Sequence, residues 1–105
     1  MKTVLFRTVN GDIVIGEVAK EVNNAFDTSI EVMNPCMLVP QGKAIGLMPY
    51  MPFADANPIS EKVVVTFSGR NIVAFANEIS IELFNHYQQQ FGSGIVIPTK
   101  EANLN

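Results

Sequence analysis

Two apolar, β-branched runs, Val63–Phe67 and Ile72–Ala76, are separated by the break Ser68-Gly69-Arg70-Asn71, which places a cation and an amide side by side. Such runs around a short break containing glycine read as a tight β-hairpin. Gly69 would supply the positive φ at which the chain reverses. The tip then presents Arg70 and Asn71, a planar cation and a donor–acceptor amide, to whatever lies outside the protein. Most turns of this kind are solvated and do no chemistry; a ligand contact repeated in an assembly is the sharper reading. Other reactive groups offer less. His86 is the single imidazole and falls at the edge of an apolar helical face near Ile79, where a packed or hydrogen-bonded histidine is the common case. Cys36 is the single cysteine, so it has no intrachain disulfide partner and no companion for a zinc site. Its apolar neighbours read as those of a small buried hydrophobe. Asp12 and Glu17 fall in a turn and a strand, with nothing to mark them as an acid/base pair. No nucleophile motif, phosphate loop or metal-ligand cluster accompanies any of them. The sequence predicts no catalytic residue, no metal, no cofactor and no small-molecule substrate.

Composition bounds the setting for these residues. At 105 residues the chain is one domain, with room for a single core. Apolar residues make up 48% and charged ones only 16%, which excludes general disorder and leaves apolar surface for a partner subunit to cover. The apolar runs are far shorter than a membrane span, and Met1-Lys2-Thr3 leads directly into a strand-like run. Neither a transmembrane helix nor a signal peptide is expected, and a cytoplasmic location follows. Ten acids against seven bases give a net charge of −3. A protein that bound nucleic acid mainly by neutralising phosphates would carry a basic field, so simple DNA binding is disfavoured. A small site repeated by symmetry is compatible with that balance.

The elements that must position these residues are mostly strands. Thr3–Val9 alternates as a first strand. Asn10-Gly11 suits the type I′ turn of a hairpin, and Asp12–Lys20 returns with Ile13 and Ile15 on one face, Val14 and Val18 on the other. Apolar residues on both faces predict a strand covered on both sides, as in a small barrel packed against neighbours. Gly16 marks a bend or bulge within it. Glu21–Thr28, rich in Asn and Asp, is a loop. Ser29–Val39 is a long strand interrupted at Asn34-Pro35; because proline cannot donate to a ladder, the strand is bent there or runs along an edge. Pro40-Gln41-Gly42 turns the chain into an irregular apolar strand over Lys43–Met51. Within it, Leu47–Phe53 has no charge and suits either the core or a subunit contact. Ala54–Ser60 is a loop. Asn77 is the expected N-cap, with Glu78 in the first turn, of a helix running to Phe91. Ile79, Leu83, Tyr87 and Phe91, with Phe84 beside them, form its apolar face, and Gly92 stops it. Ile95-Val96-Ile97 could add a short strand, and the tail after Pro98 is expected to be mobile. The expected fold is mainly β: a small, strongly bent antiparallel barrel of about five strands, with a C-terminal helix. It forms a single domain over residues 1–92, and 93–105 is a C-terminal extension.

Asn10-Gly11-Asp12 through Gly16-Glu17-Val18, with Ser29-Ile30-Glu31-Val32, is similar to the first motif of the Sm/LSm family. Ser68-Gly69-Arg70-Asn71-Ile72-Val73, with Asn77-Glu78-Ile79, resembles the second. The resemblance covers roughly Leu5–Ile79, with Lys43–Ser60 as an enlarged variable loop after the third strand. The chain also looks like the short Sm-like proteins encoded by tailed phages of cyanobacteria, whose role is unassigned; that likeness would place it in the host cytoplasm. It departs from the family in three ways. A C-terminal helix replaces the usual N-terminal one, Ser68 stands where an Arg precedes the motif glycine, and Glu31 stands in place of a loop Asn. The resemblance implies a homo-oligomeric ring. In it, the strand before the hairpin of one subunit pairs with the last barrel strand of the next, leaving no open edge. It also implies single-stranded RNA binding at the pore face, through Asn23, Asn24, Phe26 and Asp27 from the loop and Arg70 with Asn71 from the turn. Bases would stack on an aromatic or guanidinium plane. A structural or adaptor ring that binds protein through Leu47–Phe53 and the helix is the alternative.

Overall fold

The computed structural model describes residues 2–26, 28–51 and 62–91. Six antiparallel strands and one helix make up the fold: β1 (Lys2–Thr8), β2 (Ile13–Val18), β3 (Ser29–Gln41), β4 (Ala44–Pro49), β5 (Val64–Ser68), β6 (Ile72–Ala76) and α1 (Ile81–Gln90). The strands run in the order β4-β3-β2-β1-β6, and β5 pairs with β3. This is a mainly β globule consistent with a strongly bent Sm-like barrel. About five barrel strands were expected beside an irregular strand over Lys43–Met51, and that strand is β4, Ala44–Pro49. It folds back on β3 from Cys36↔Pro49 to Gln41↔Ala44 and turns part of the expected variable loop into a hairpin arm. No helix of the described residues is long and apolar enough to cross a membrane.

The bend that lets one strand serve two neighbours sits in the middle of β3. Its first half pairs with β5, from Ser29↔Ser68 to Met33↔Val64, and its second half with β4. Between them Asn34 adopts φ 49°, the one positive φ of a non-glycine residue among those described. Asn tolerates the left-handed region better than most residues, and Pro35 after it cannot continue the ladder. The Asn34 side chain then fixes the kink. Its Nδ2 donates to the Phe91 carbonyl at 2.8 Å, and its Oδ1 accepts from the Val63 backbone N–H at 3.0 Å. Opposite the bend, the β2–β3 register shifts between Ile15 and Glu17, so Gly16 is the expected bulge. A Cβ there would collide with the Val32 side chain and approach the Pro35 Cα to 3.3 Å.

Both faces of this sheet are covered. On the inside, Val4, Phe6, Val14, Val18, Ile30 and Val32 pack with Phe67 and Ile72. Phe6 meets the Phe67 ring edge-on at 4.9 Å and stacks with Phe75 at 5.9 Å, the offset and edge arrangements that aromatic quadrupoles favour. On the outside, Ile15, Cys36 and Tyr87 form a second cluster with Leu5, Leu38, Ile79, Leu83 and Phe91. Within the chain, the inner face of β2 is covered by the barrel core and Ile15 on its outer face by the helix, while Ile13 stays only partly buried. Tyr87 lies fully buried beneath the helix, and its hydroxyl donates at 2.8 Å to the Asn34 carbonyl, with the Met33 carbonyl at 3.1 Å. Burial pushes the Tyr87 phenol well above its ordinary range, with the Glu17 charge adding to the effect. Burial likewise pushes the Cys36 thiol up to about 12.

Four local expectations are corrected. Val63–Phe67 and Ile72–Ala76 do not form a hairpin, since β5 pairs with β3 and β6 pairs with β1. The link between them, Gly69–Asn71, is a single 3-10 turn. Gly69 has no positive φ; what it lacks room for is a side chain. At Asn10-Gly11 only Gly11 has a positive φ, 90°. The Gly11 N–H reaches the Thr8 carbonyl at 2.9 Å, so the β1–β2 connection is a type I turn closed by a glycine bulge and not type I′. Finally, the helix begins after Ser80, whose Oγ accepts from the Leu83 N–H at 3.3 Å. Asn77, the expected cap, instead donates its amide to the Val22 carbonyl at 3.3 Å. The expectations for Asp27, Pro52–Ser60 and residues 92–105, including the Gly92 stop and the Ile95–Ile97 strand, lie outside the described residues.

Candidate functional site

The loop between β2 and β3 is fastened at four points, and this gives its exposed side chains a fixed frame. Ala25 inserts into the inner core, 6% exposed. Asn77 holds the Val22 carbonyl, as above. The Thr28 hydroxyl donates to the Asn24 carbonyl at 3.2 Å, the type of local bond by which Ser and Thr stabilise turns. The fourth point is the 3-10 turn: the Gly69 N–H donates to the Thr28 carbonyl at 2.8 Å. A Cβ on Gly69 would run into the carbonyl oxygens of Ala25 and Thr28 and come within 2.9 Å of the Phe26 carbonyl carbon. Only a residue without a side chain allows this approach of backbone to backbone.

That contact brings the two halves of the expected site together. Asn23, Asn24 and Phe26 are exposed on one side of it, Arg70 and Asn71 on the other. Phe26 is 52% exposed, unusual for an aromatic that could have joined the core. Arg70 is the one basic residue of the 3-10 turn. Asn71 uses its carbonyl to accept from the Val9 N–H at 2.8 Å, which fixes the turn to the end of β1 and leaves the side-chain amide outward. The sixth expected residue, Asp27, lies outside the described residues. Beside the loop is an open groove of about 420 Å³ between the end of β2 and the start of β3, within the usual range for ligand-sized concavities. Asn23 and Asn24 line it, together with Lys20, Glu21, Thr28 and Glu31. The last four were not among the expected site residues. Glu31 was findable from alternation alone: with Ile30 and Val32 turned into the barrel, it must face the other way.

The remaining titratable groups are placed elsewhere. Glu17 is buried under the helix, where the Gln88 amide donates to its Oε2 at 3.3 Å and to the Thr3 hydroxyl at 3.1 Å. His86 is partly buried, with no hydrogen-bond partner for Nε2. Among the described residues no group of three or more His, Cys, Asp and Glu side chains could hold a metal ion. No protein-family model matches the chain, and no curated protein matches it significantly.

Proposed function

We propose that this protein is a ring-forming, Sm-like subunit that binds single-stranded RNA where Arg70 and Asn71 meet the Asn23–Phe26 loop. The observation that carries the reading is the packing of the Gly69 turn on that loop, backbone against backbone. It holds a guanidinium, an exposed aromatic ring and several amides at one end of the barrel. A guanidinium or aromatic plane stacks on any base, at about 1–3 kcal/mol per base, and amides can read its edge. Assembly is supported by the strand edges. Each of β5 and β6 is paired on one side only among the described residues, and both carry exposed valines, Val64 and Val73. An unprotected apolar edge is a liability that closure with copies of the same chain removes. The proposed activity is binding without a catalytic step.

Solution mass by light scattering tests the ring, and anisotropy of labelled oligo-U and oligo-A at low and moderate salt tests the ligand. The expected result is a discrete oligomer whose salt-sensitive binding is lost in Arg70→Ala. A monomer, or an oligomer that binds no oligonucleotide at low salt, refutes the RNA reading. One observation favours the second reading, a protein-binding adaptor ring: Ile45 and Met48 on the β3–β4 arm, and Met51 just after it, are all substantially exposed, and adaptable methionines suit a protein interface.

A further inference from the structure

Resting on the RNA reading above, we infer that the groove beside the loop selects guanine over uracil. The groove is lined by the carboxylates of Glu21 and Glu31 and the amides of Asn23 and Asn24, with Val22 and Ile30 among its apolar residues; Glu31 is the carboxylate held on a strand, β3, and not in the loop. Its charges are Lys20 against Glu21 and Glu31, so it is not a phosphate pocket: a backbone phosphate would meet more negative than positive charge. A base edge is the part of a nucleotide that suits it, and base edges differ in how they meet a carboxylate.

A carboxylate only accepts hydrogen bonds, through two coplanar oxygens. The Watson–Crick edge of guanine offers two adjacent donors, N1–H and the N2 amino group, which match those oxygens in the fork-like manner that makes such pairs strong. Its O6 is left to accept from an asparagine amide. Uracil offers one donor between two carbonyl oxygens and would set at least one of them against the Glu31 carboxylate. Cytosine and adenine each bring one amino group next to an acceptor. Single-stranded RNA displays these edges because its bases are unstacked. A site built around a particular donor pattern rejects bases that leave its polar groups unpaired far more strongly than it rejects differences of shape. Arg70 and Phe26, beyond Thr28, are available to stack on a neighbouring base.

The test uses the full chain and fluorescein-labelled hexamers, UUGUUU, UUIUUU (inosine), UUAUUU and UUUUUU, in low salt. The expected order places UUGUUU about tenfold or more tighter than UUUUUU, with inosine, which lacks the N2 amino group, losing most of that advantage. Glu31→Gln swaps one acceptor for a donor and abolishes the difference between hexamers. Glu82→Gln on the exposed side of α1 removes the same charge and leaves it intact. Circular dichroism verifies that both variants fold. Equal binding of all four hexamers, or a guanine preference that survives Glu31→Gln, overturns the guanine inference and leaves RNA binding standing. Failure of every hexamer to bind overturns both.

Discussion

Replacing Gly69 with alanine sets two opposing effects against each other, and the structure decides between them. Gly69 has an ordinary negative φ, so on backbone grounds alanine is the better residue. By restricting the unfolded chain it would stabilise by roughly 0.4–1 kcal/mol. Against this stands the missing space: the added methyl would clash with the Ala25 and Thr28 carbonyl oxygens, far inside van der Waals contact. Both are backbone atoms, so relief requires the turn and the loop to separate. Overpacking of this kind costs roughly 1–3 kcal/mol. Separation also loses the Gly69 N–H bond to the Thr28 carbonyl, for about another 1 kcal/mol. The net expectation is a loss of roughly 1–3 kcal/mol, which for a domain this size lowers Tm by about 5–20 °C. Differential scanning fluorimetry at fixed protein concentration measures it, because the Tm of any protein that associates depends on concentration. Gly69→Ser should behave alike or worse. An unchanged or raised Tm for Gly69→Ala would refute the close approach, and with it the frame that joins Arg70 to the loop.

Other perturbations probe the helix layer and the bend. Tyr87→Phe removes the hydroxyl that serves the Met33 and Asn34 carbonyls and should cost about 1–2 kcal/mol in urea unfolding. Asn34→Ala loses both side-chain bonds and puts a Cβ-bearing residue less tolerant of φ 49° at the bend; the expected cost is about 2–4 kcal/mol, whereas a loss below about 0.5 kcal/mol would show the kink to be self-supporting. Burial holds the Cys36 thiol at about 12 against an ordinary 9.0, so the folded state keeps its proton to higher pH than the unfolded one. That contribution is complete below pH 9 and is lost as pH rises towards 12. The urea midpoint should therefore fall above pH 9, less steeply in Cys36→Ala, and native Cys36 should resist iodoacetamide at pH 8 until urea exposes it.

Patterns carried by a few neighbouring residues were legible in the chain, and choices between distant partners were not. The alternation of β2 announced two covered faces, but not that the chain's own helix covers one of them. Asn34-Pro35 announced an interruption because proline cannot donate to a ladder, although the positive φ that Asn34 supplies there was not read. The helix face was readable from the spacing of Ile79, Leu83, Tyr87 and Phe91, and all four pack in the outer cluster. Its start was not, since Asn77 and Ser80 are equally good caps; the Val22 carbonyl takes the Asn77 amide and leaves Ser80 to the helix. The link between β5 and β6 was misread because a glycine between two β-branched runs has the same local signature whether those runs pair with each other or with β3 and β1. At the candidate site, the residue types in the loop and turn were visible. Their meeting through Gly69 was not, because it joins positions more than forty residues apart.

The single amide of Asn34 clasps the kink of the barrel and the last turn of the helix at once. The two layers thus share one rivet, and a tug on the chain where it leaves Phe91 is delivered first to the middle of β3, not to the helix alone. Anything grasping that end of the polypeptide would feel the stiffness of the barrel's most sharply curved strand, and through it the frame from which the loop and its asparagines hang.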